Sequence, residues 1–131
     1  MKLADYFAET EGTGVLATAG ADGKVDAAVY ARPHVIDEET VAFIMRERLA
    51  HENLKSNHYA AYLFIERGQG YQGKRLYLRK VREETNSTLI AKLRRRNQEV
   101  YADADDSNKY LVFFRVEGVR PLVGDKPPTE Q

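Results

Sequence analysis

The chain has 131 residues, enough for one hydrophobic core and too few for a second domain of ordinary size. Its 43% apolar and 31% charged content exclude a disordered chain, and 20 basic residues balance 20 acidic ones, so no net field draws it to nucleic acid or an anionic membrane. Without cysteine, it has no disulfides, thiolate metal sites, cysteine nucleophiles or iron–sulfur clusters.

The first residues carry an acid, Asp5, where a signal peptide needs an apolar run, and no stretch approaches the roughly 20 apolar residues of a membrane span. A cytoplasmic protein with no membrane partner is expected. Leu3, Tyr6 and Phe7 at helical spacing predict a short amphipathic helix over 2–10, ended near Gly12 and Gly14 and lidding one end of a barrel. Strands over 15–19 and 25–32 flank Gly20-Ala21-Asp22-Gly23, whose Asp-Gly pair signals a hairpin. Pro33 lacks a ladder donor and suits the end or edge of the second strand, and 37–40 make the next turn. A third strand runs over 41–46. The period changes at Leu49, where Leu49, Asn53, Leu54 and Asn57 are spaced for a short helix.

Further strands are expected over 60–65 and 76–81, separated by a glycine-rich loop. A helix from Asn86 or Ser87 to Arg96 has Glu83 and Glu84 before its start and Lys92, Arg94, Arg95 and Arg96 near its end, matching the helix dipole at both ends. The last long strand covers 110–116, and a polar, proline-rich tail over 124–131 is expected to be mobile, leaving 1–123 as a single domain. Six strands with two or three short helices, and no strand–helix alternation, favour a closed antiparallel barrel over a layered α/β fold.

Gly68-Gln69-Gly70-Tyr71-Gln72-Gly73 matches a dinucleotide-binding fingerprint letter for letter, but that fingerprint needs a helix immediately after its glycines. Here a strand follows, so the segment reads as a hairpin loop whose glycines supply positive φ. The stronger signal is 43–53. Alternation along a strand puts Arg46 and Arg48 on one face just before a helix whose first turn offers unpaired N–H groups, with His51 nearby. Two guanidiniums beside a helix N-terminus make a phosphate site from local parts. The competing reading is a solvated strand end where Arg48 pairs with Glu52.

Ala27, Ala28 and Ala31 leave the second strand's backbone thinly covered, open either to a flat ring or to close packing by another strand or subunit. His34, His51 and His58 have no metal-site spacing, and no nucleophile elbow or general base can be read. The basic run 92–96 reads as a solvated face beside the acids at 103–106, so no nucleic-acid partner is expected.

From about Gly14 to about Val119 the chain resembles the FMN-binding split barrels related to pyridoxamine 5′-phosphate oxidase. The likeness is carried by 14–18, Asp22-Gly23, 28–34, Phe43 through the helix ending at Asn57, 60–64, and Arg75-Leu76-Tyr77-Leu78. The resemblance implies a mainly β, six-stranded antiparallel split β-barrel of the FMN-binding type, paired as a homodimer with FMN between subunits. It places the flavin ring along Val29, Tyr30, Ala31 and Arg32, with Ile44 and Met45 beside it and the phosphate at Arg46, Arg48 and His51. Arg75 is expected to reach the flavin from the partner subunit. Where many members place basic residues at the helix start, this chain has Leu49-Ala50, so the phosphate contacts fall to the two arginines and the histidine. The activity implied is flavin-dependent oxidoreduction on an unknown substrate. The alternatives are a flavin carrier or electron-transfer protein, or a barrel for haem or a deazaflavin. The C-terminal tail lacks the Arg and His arrangement of true pyridoxamine phosphate oxidases, which argues against that one reaction.

Overall fold

A computed structural model describes residues 2–96 and 109–124. The acidic stretch 103–106 and the tail beyond residue 124 lie outside the described residues. In chain order the elements are α1 (Leu3–Glu9), β1 (Gly12–Ala19), β2 (Val25–Val29), β3 (His34–Val35), β4 (Thr40–Arg46), α2 (Leu49–Ser56), β5 (Tyr59–Glu66), β6 (Gly73–Glu84), α3 (Ser87–Arg96) and β7 (Lys109–Pro121).

The strands form one antiparallel sheet in the order β2-β1-β5-β6-β7-β4-β3. Two expectations from the sequence need correction. The sheet has seven strands rather than six, because the two residues His34 and Val35 pair with Ala42 and Val41. The sheet is also open, with β2 and β3 at its two ends. Pro33 has no N–H for a ladder, and the carbonyls of Tyr30 and Ala31 accept the Tyr62 hydroxyl (3.2 and 3.1 Å), so the chain leaves β2 before it can close the ring.

Alternation decides what lies inside. Leu16 of β1, Phe43 and Met45 of β4, Tyr62 and Phe64 of β5, Leu76 and Leu78 of β6, and Val112 and Phe114 of β7 are all buried in one cluster, so the sheet curls around a shared core. Leu3, Tyr6 and Phe7 of α1 close one end of it, with Phe7 edge-on to Phe64 at 5.3 Å between ring centroids. A smaller cluster lies outside, where Ile90 and Leu93 of α3 cover Ala42, Leu111 and Phe113 of β4 and β7.

Gly14 is a close-approach position. A Cβ there would lie 1.8 Å from the Tyr62 hydroxyl and 2.6 Å from the Tyr30 carbonyl oxygen, so only glycine lets β1 seat the segment that ends β2. The glycine-rich segment joins β5 to β6 as a hairpin, with Gly68, Gly70 and Gly73 at φ of 131°, 80° and 155°.

Candidate functional site

A cavity of about 500 Å³ lies in the seam where the sheet fails to close. One wall comes from β2 and the residues after it, Asp26, Ala28, Val29, Tyr30 and Ala31. The other comes from Ile44 and Arg46 of β4, then Arg48 and the first residues of α2, Leu49 and Ala50. The seam exists because β3 pairs only with Val41 and Ala42, leaving the C-terminal half of β4 as a free edge. Tyr30 bridges the two walls, its backbone N–H bonded to Gly14 and its ring edge-on to Phe43 at 5.9 Å.

The walls are apolar except for Asp26 and the Tyr30 hydroxyl on the β2 side and the β4–α2 junction opposite. Arg48 caps α2 in extended conformation without a side-chain capping bond, and the first intrahelical bond runs from the Glu52 N–H to the Arg48 carbonyl. The N–H groups of Leu49, Ala50 and His51 therefore have no carbonyl within the helix, and the first two belong to residues that line the cavity. Glu52 bonds Lys55 (3.0 Å), not Arg48. Among the described residues the Arg48 guanidinium has no hydrogen-bond or ion-pair partner, so the competing Arg48–Glu52 pair is not made. Tyr30 lies within its electrostatic reach. Burial pushes the Tyr30 phenol up, with Arg48 pulling it down and Asp26 adding to the rise.

Of the residues singled out from the sequence, Val29, Tyr30, Ala31, Ile44, Arg46 and Arg48 meet at this cavity. Of the other four, Met45, Arg32 and His51 go elsewhere, while Arg75 was expected to act from a partner subunit and not at its own chain's cavity. Met45 alternates into the core, 1% exposed. Arg32 turns to the other end of the barrel, where it donates to the carbonyls of Phe7 (2.8 Å) and Thr10 (3.0 Å) and ties α1 down. Arg75 lies on the outer face of β6 and donates to the carbonyls of Pro121 and Gly124.

His51 enters the interior at 2% exposure, with Nδ1 3.2 Å from Glu47 and Nε2 3.1 Å from Glu83, and its ring stacks on Tyr110 at 4.0 Å. It stands behind the junction rather than in it.

The cavity also takes Asp26, Ala28, Leu49 and Ala50, none of which was among the candidate ligands. Strand alternation relates Asp26 to Ala28 and Tyr30 and carries the signal for the first two. Leu49 and Ala50 carry no side-chain signal, because what they offer is backbone. Among the described residues no cluster of three or more His, Asp or Glu side chains could hold a metal ion, and no helix is long and apolar enough to cross a membrane.

No protein-family model and no curated protein matches the sequence. Solved structures match the fold. An FMN-binding protein from Syntrophomonas wolfei subsp. wolfei aligns with a TM-score of 0.76 at 14% identity, over 95% of this chain and 86% of that one. An F420 reductase aligns at 0.67 and 20% identity, covering 88% and 94%. A putative pyridoxamine 5′-phosphate oxidase from Lactobacillus delbrueckii aligns at 0.68 and 16%, covering 92% of each chain. The chain has the fold of these proteins, a mostly antiparallel split barrel with short helices.

Proposed function

We propose that the cavity binds FMN and that the protein is a cytoplasmic flavin-dependent oxidoreductase acting as a homodimer. The observation that carries this reading is the unpaired Arg48 guanidinium beside an open helix N-terminus, at the polar end of an apolar cavity. The donors suit the two ends of such a ligand. Arg46, Arg48 and the N–H groups of Leu49 and Ala50 can hold a phosphate, while Ala28, Val29, Ala31 and Ile44 offer a thin apolar wall to a flat ring. Asp26 stands within the same cavity and can accept from a polyol hydroxyl. When bound, FMN supplies the hydride and electron chemistry, and the chain supplies binding, orientation and shelter from water. The FMN-binding protein sharing this fold supports the choice of ligand.

A second copy fits the bare outer face. Val25 and Val29 are 83% and 75% exposed, and with Ala27 they align with Val15, Ala17 and Ala19 of β1, then Ala61 and Leu63 of β5, in a broad apolar surface. The corresponding face of β4 and β7 is covered by α3 of the same chain. Light scattering should report a dimer.

Purified protein incubated with FMN and passed over a desalting column should keep the yellow flavin absorption bands. Loss of all flavin at micromolar protein contradicts the reading. The F420 reductase neighbour favours a deazaflavin as the second reading, and its different absorption separates the two. Oxidation of a reduced nicotinamide by the loaded protein separates an enzyme from a flavin carrier.

A further inference from the structure

α1 has seven residues, well short of the roughly 12–15 at which an isolated helix becomes even marginal, so it exists only while docked. Leu3, Tyr6 and Phe7 set it on the core, and the Tyr6 hydroxyl bonds Glu66 at 2.6 Å. Its ends are weaker. Lys2 gives no side-chain cap, and the chain leaves the helix at Thr10 in extended conformation. The carbonyls at a helix C-terminus have no partner within the helix, and here Arg32 takes two at this end, donating Nη1 to Phe7 at 2.8 Å and to Thr10 at 3.0 Å.

Directly before Arg32 comes the cavity wall. Ala28, Val29, Tyr30 and Ala31 line it, so the residue that holds α1 is the chain neighbour of the last wall residue. A second link runs through side chains: Tyr30 is edge-on to Phe43 at 5.9 Å, Phe43 lies against Tyr62 at 5.0 Å, and Tyr62 meets Phe7 of α1 at 6.3 Å. Tyr62 joins the two links, because its hydroxyl donates to the carbonyls of Tyr30 and Ala31 while its ring touches the helix. Phe7, Phe43 and Tyr62 are all buried, and a close-packed interior has little room to absorb one displaced ring without moving the next.

We propose that α1 is a strap whose docking is coupled to the order of the cavity wall: a ligand's ring against the wall holds α1 down, and loosening α1 loosens the wall. By linkage, the factor by which the ligand favours docked α1 is the factor by which docked α1 favours the ligand. The flavin reading supplies only the identity of that ligand, and the coupling is a property of the chain alone.

The test is backbone hydrogen exchange, first without ligand. Arg32→Gln removes the guanidinium and should speed exchange about tenfold both at residues 7–9 of α1 and at Tyr30, whose N–H bonds Gly14, while the β4–β7 ladder keeps its protection. Arg32→Lys, which keeps a charged donor, should restore much of the protection at both places. Phe7→Leu, which breaks the ring contact but keeps an apolar side chain, should also speed exchange at Tyr30 and guards against a folding defect peculiar to the first variant. With FMN added, the parent should slow at residues 7–9 by about tenfold, and Arg32→Gln should weaken FMN and riboflavin by the same factor, because the wall takes the ring and not the phosphate. FMN retained with α1 exchange unchanged would overturn the coupling and leave the flavin reading standing. If no flavin is retained, the flavin reading falls and the ligand-free comparison decides the coupling. There, opening of α1 without Tyr30 in either variant, or no opening of α1 in Arg32→Gln, would overturn it.

Discussion

Arg48 and His51 stand three residues apart at the start of one helix and go to opposite sides of it. Arg48 is exposed at the cavity end and unpaired, while His51 is buried against β6 and β7 between two carboxylates and under the Tyr110 ring. Both are nitrogen-bearing polar side chains beside a helix N-terminus, and local sequence treats them alike. What separates them is distant in sequence: Glu83 waits 32 residues on to receive His51, and among the described residues nothing receives Arg48. One residue anchors α2, and the other is left for a ligand.

The sharpest way to break this contrast is His51→Ala. It removes a buried ring, its stack on Tyr110 and both carboxylate contacts, and should cost about 2–4 kcal/mol of stability in urea or thermal unfolding. The same variant, while folded, should keep its preference for FMN over riboflavin. A stable His51→Ala protein that no longer distinguishes the two flavins would move His51 from anchor to ligand.

Ala31→Trp probes the opposite wall. Ala31 is exposed and lines the cavity, so a bulky side chain should crowd the flavin ring and weaken FMN about tenfold with little change in stability. Fluorescence titration of the flavin reads the affinity, and circular dichroism checks the fold.

The smallest effect expected is in acid. The Tyr110 hydroxyl (2.6 Å) and then His51 hold the Glu47 carboxyl below its ordinary value. For Glu83 burial pushes up, but the bonds from Lys80 (2.7 Å) and His51 outweigh it and the net shift is down. A carboxyl lowered in the folded state adds stability that is present above its unfolded value, near 4.3, and lost as pH falls through the folded one. Stability should therefore decline as pH drops from about 5 towards 3. The decline should be shallower in His51→Ala, because one cause is gone and Tyr110 and Lys80 remain. Urea midpoints across that range measure it.

Much of the fold was legible because it rests on short-range patterns. Leu3, Tyr6 and Phe7 mark α1, Asp22-Gly23 marks the first hairpin, and the change of period at Leu49 marks the junction that ends the cavity. β3 was not legible, since two residues carry no period and pair only because β4 passes beside them. At the site, side-chain chemistry pointed to Arg46 and Arg48 but undervalued Leu49 and Ala50, whose contribution is free N–H groups. Arg32, Met45 and His51 were drawn in by proximity. Each is taken up by a long-range partner: the α1 carbonyls for Arg32, the barrel core for Met45, and Glu83 with Tyr110 for His51.

If the β4–α2 junction holds a phosphate, FMN and riboflavin should respond differently to Arg48→Ala, and titrating both flavins into the parent and the variant measures that difference. A charge-assisted contact of about 1.5–3 kcal/mol predicts FMN affinity roughly ten- to a hundredfold weaker in the variant. Riboflavin, which lacks the phosphate, should bind both proteins equally, and the unfolding midpoint should stay within experimental error because Arg48 is exposed and unpaired. An FMN-to-riboflavin ratio unchanged by Arg48→Ala, and unchanged again by Arg46→Ala, would contradict the claim and put the phosphate elsewhere.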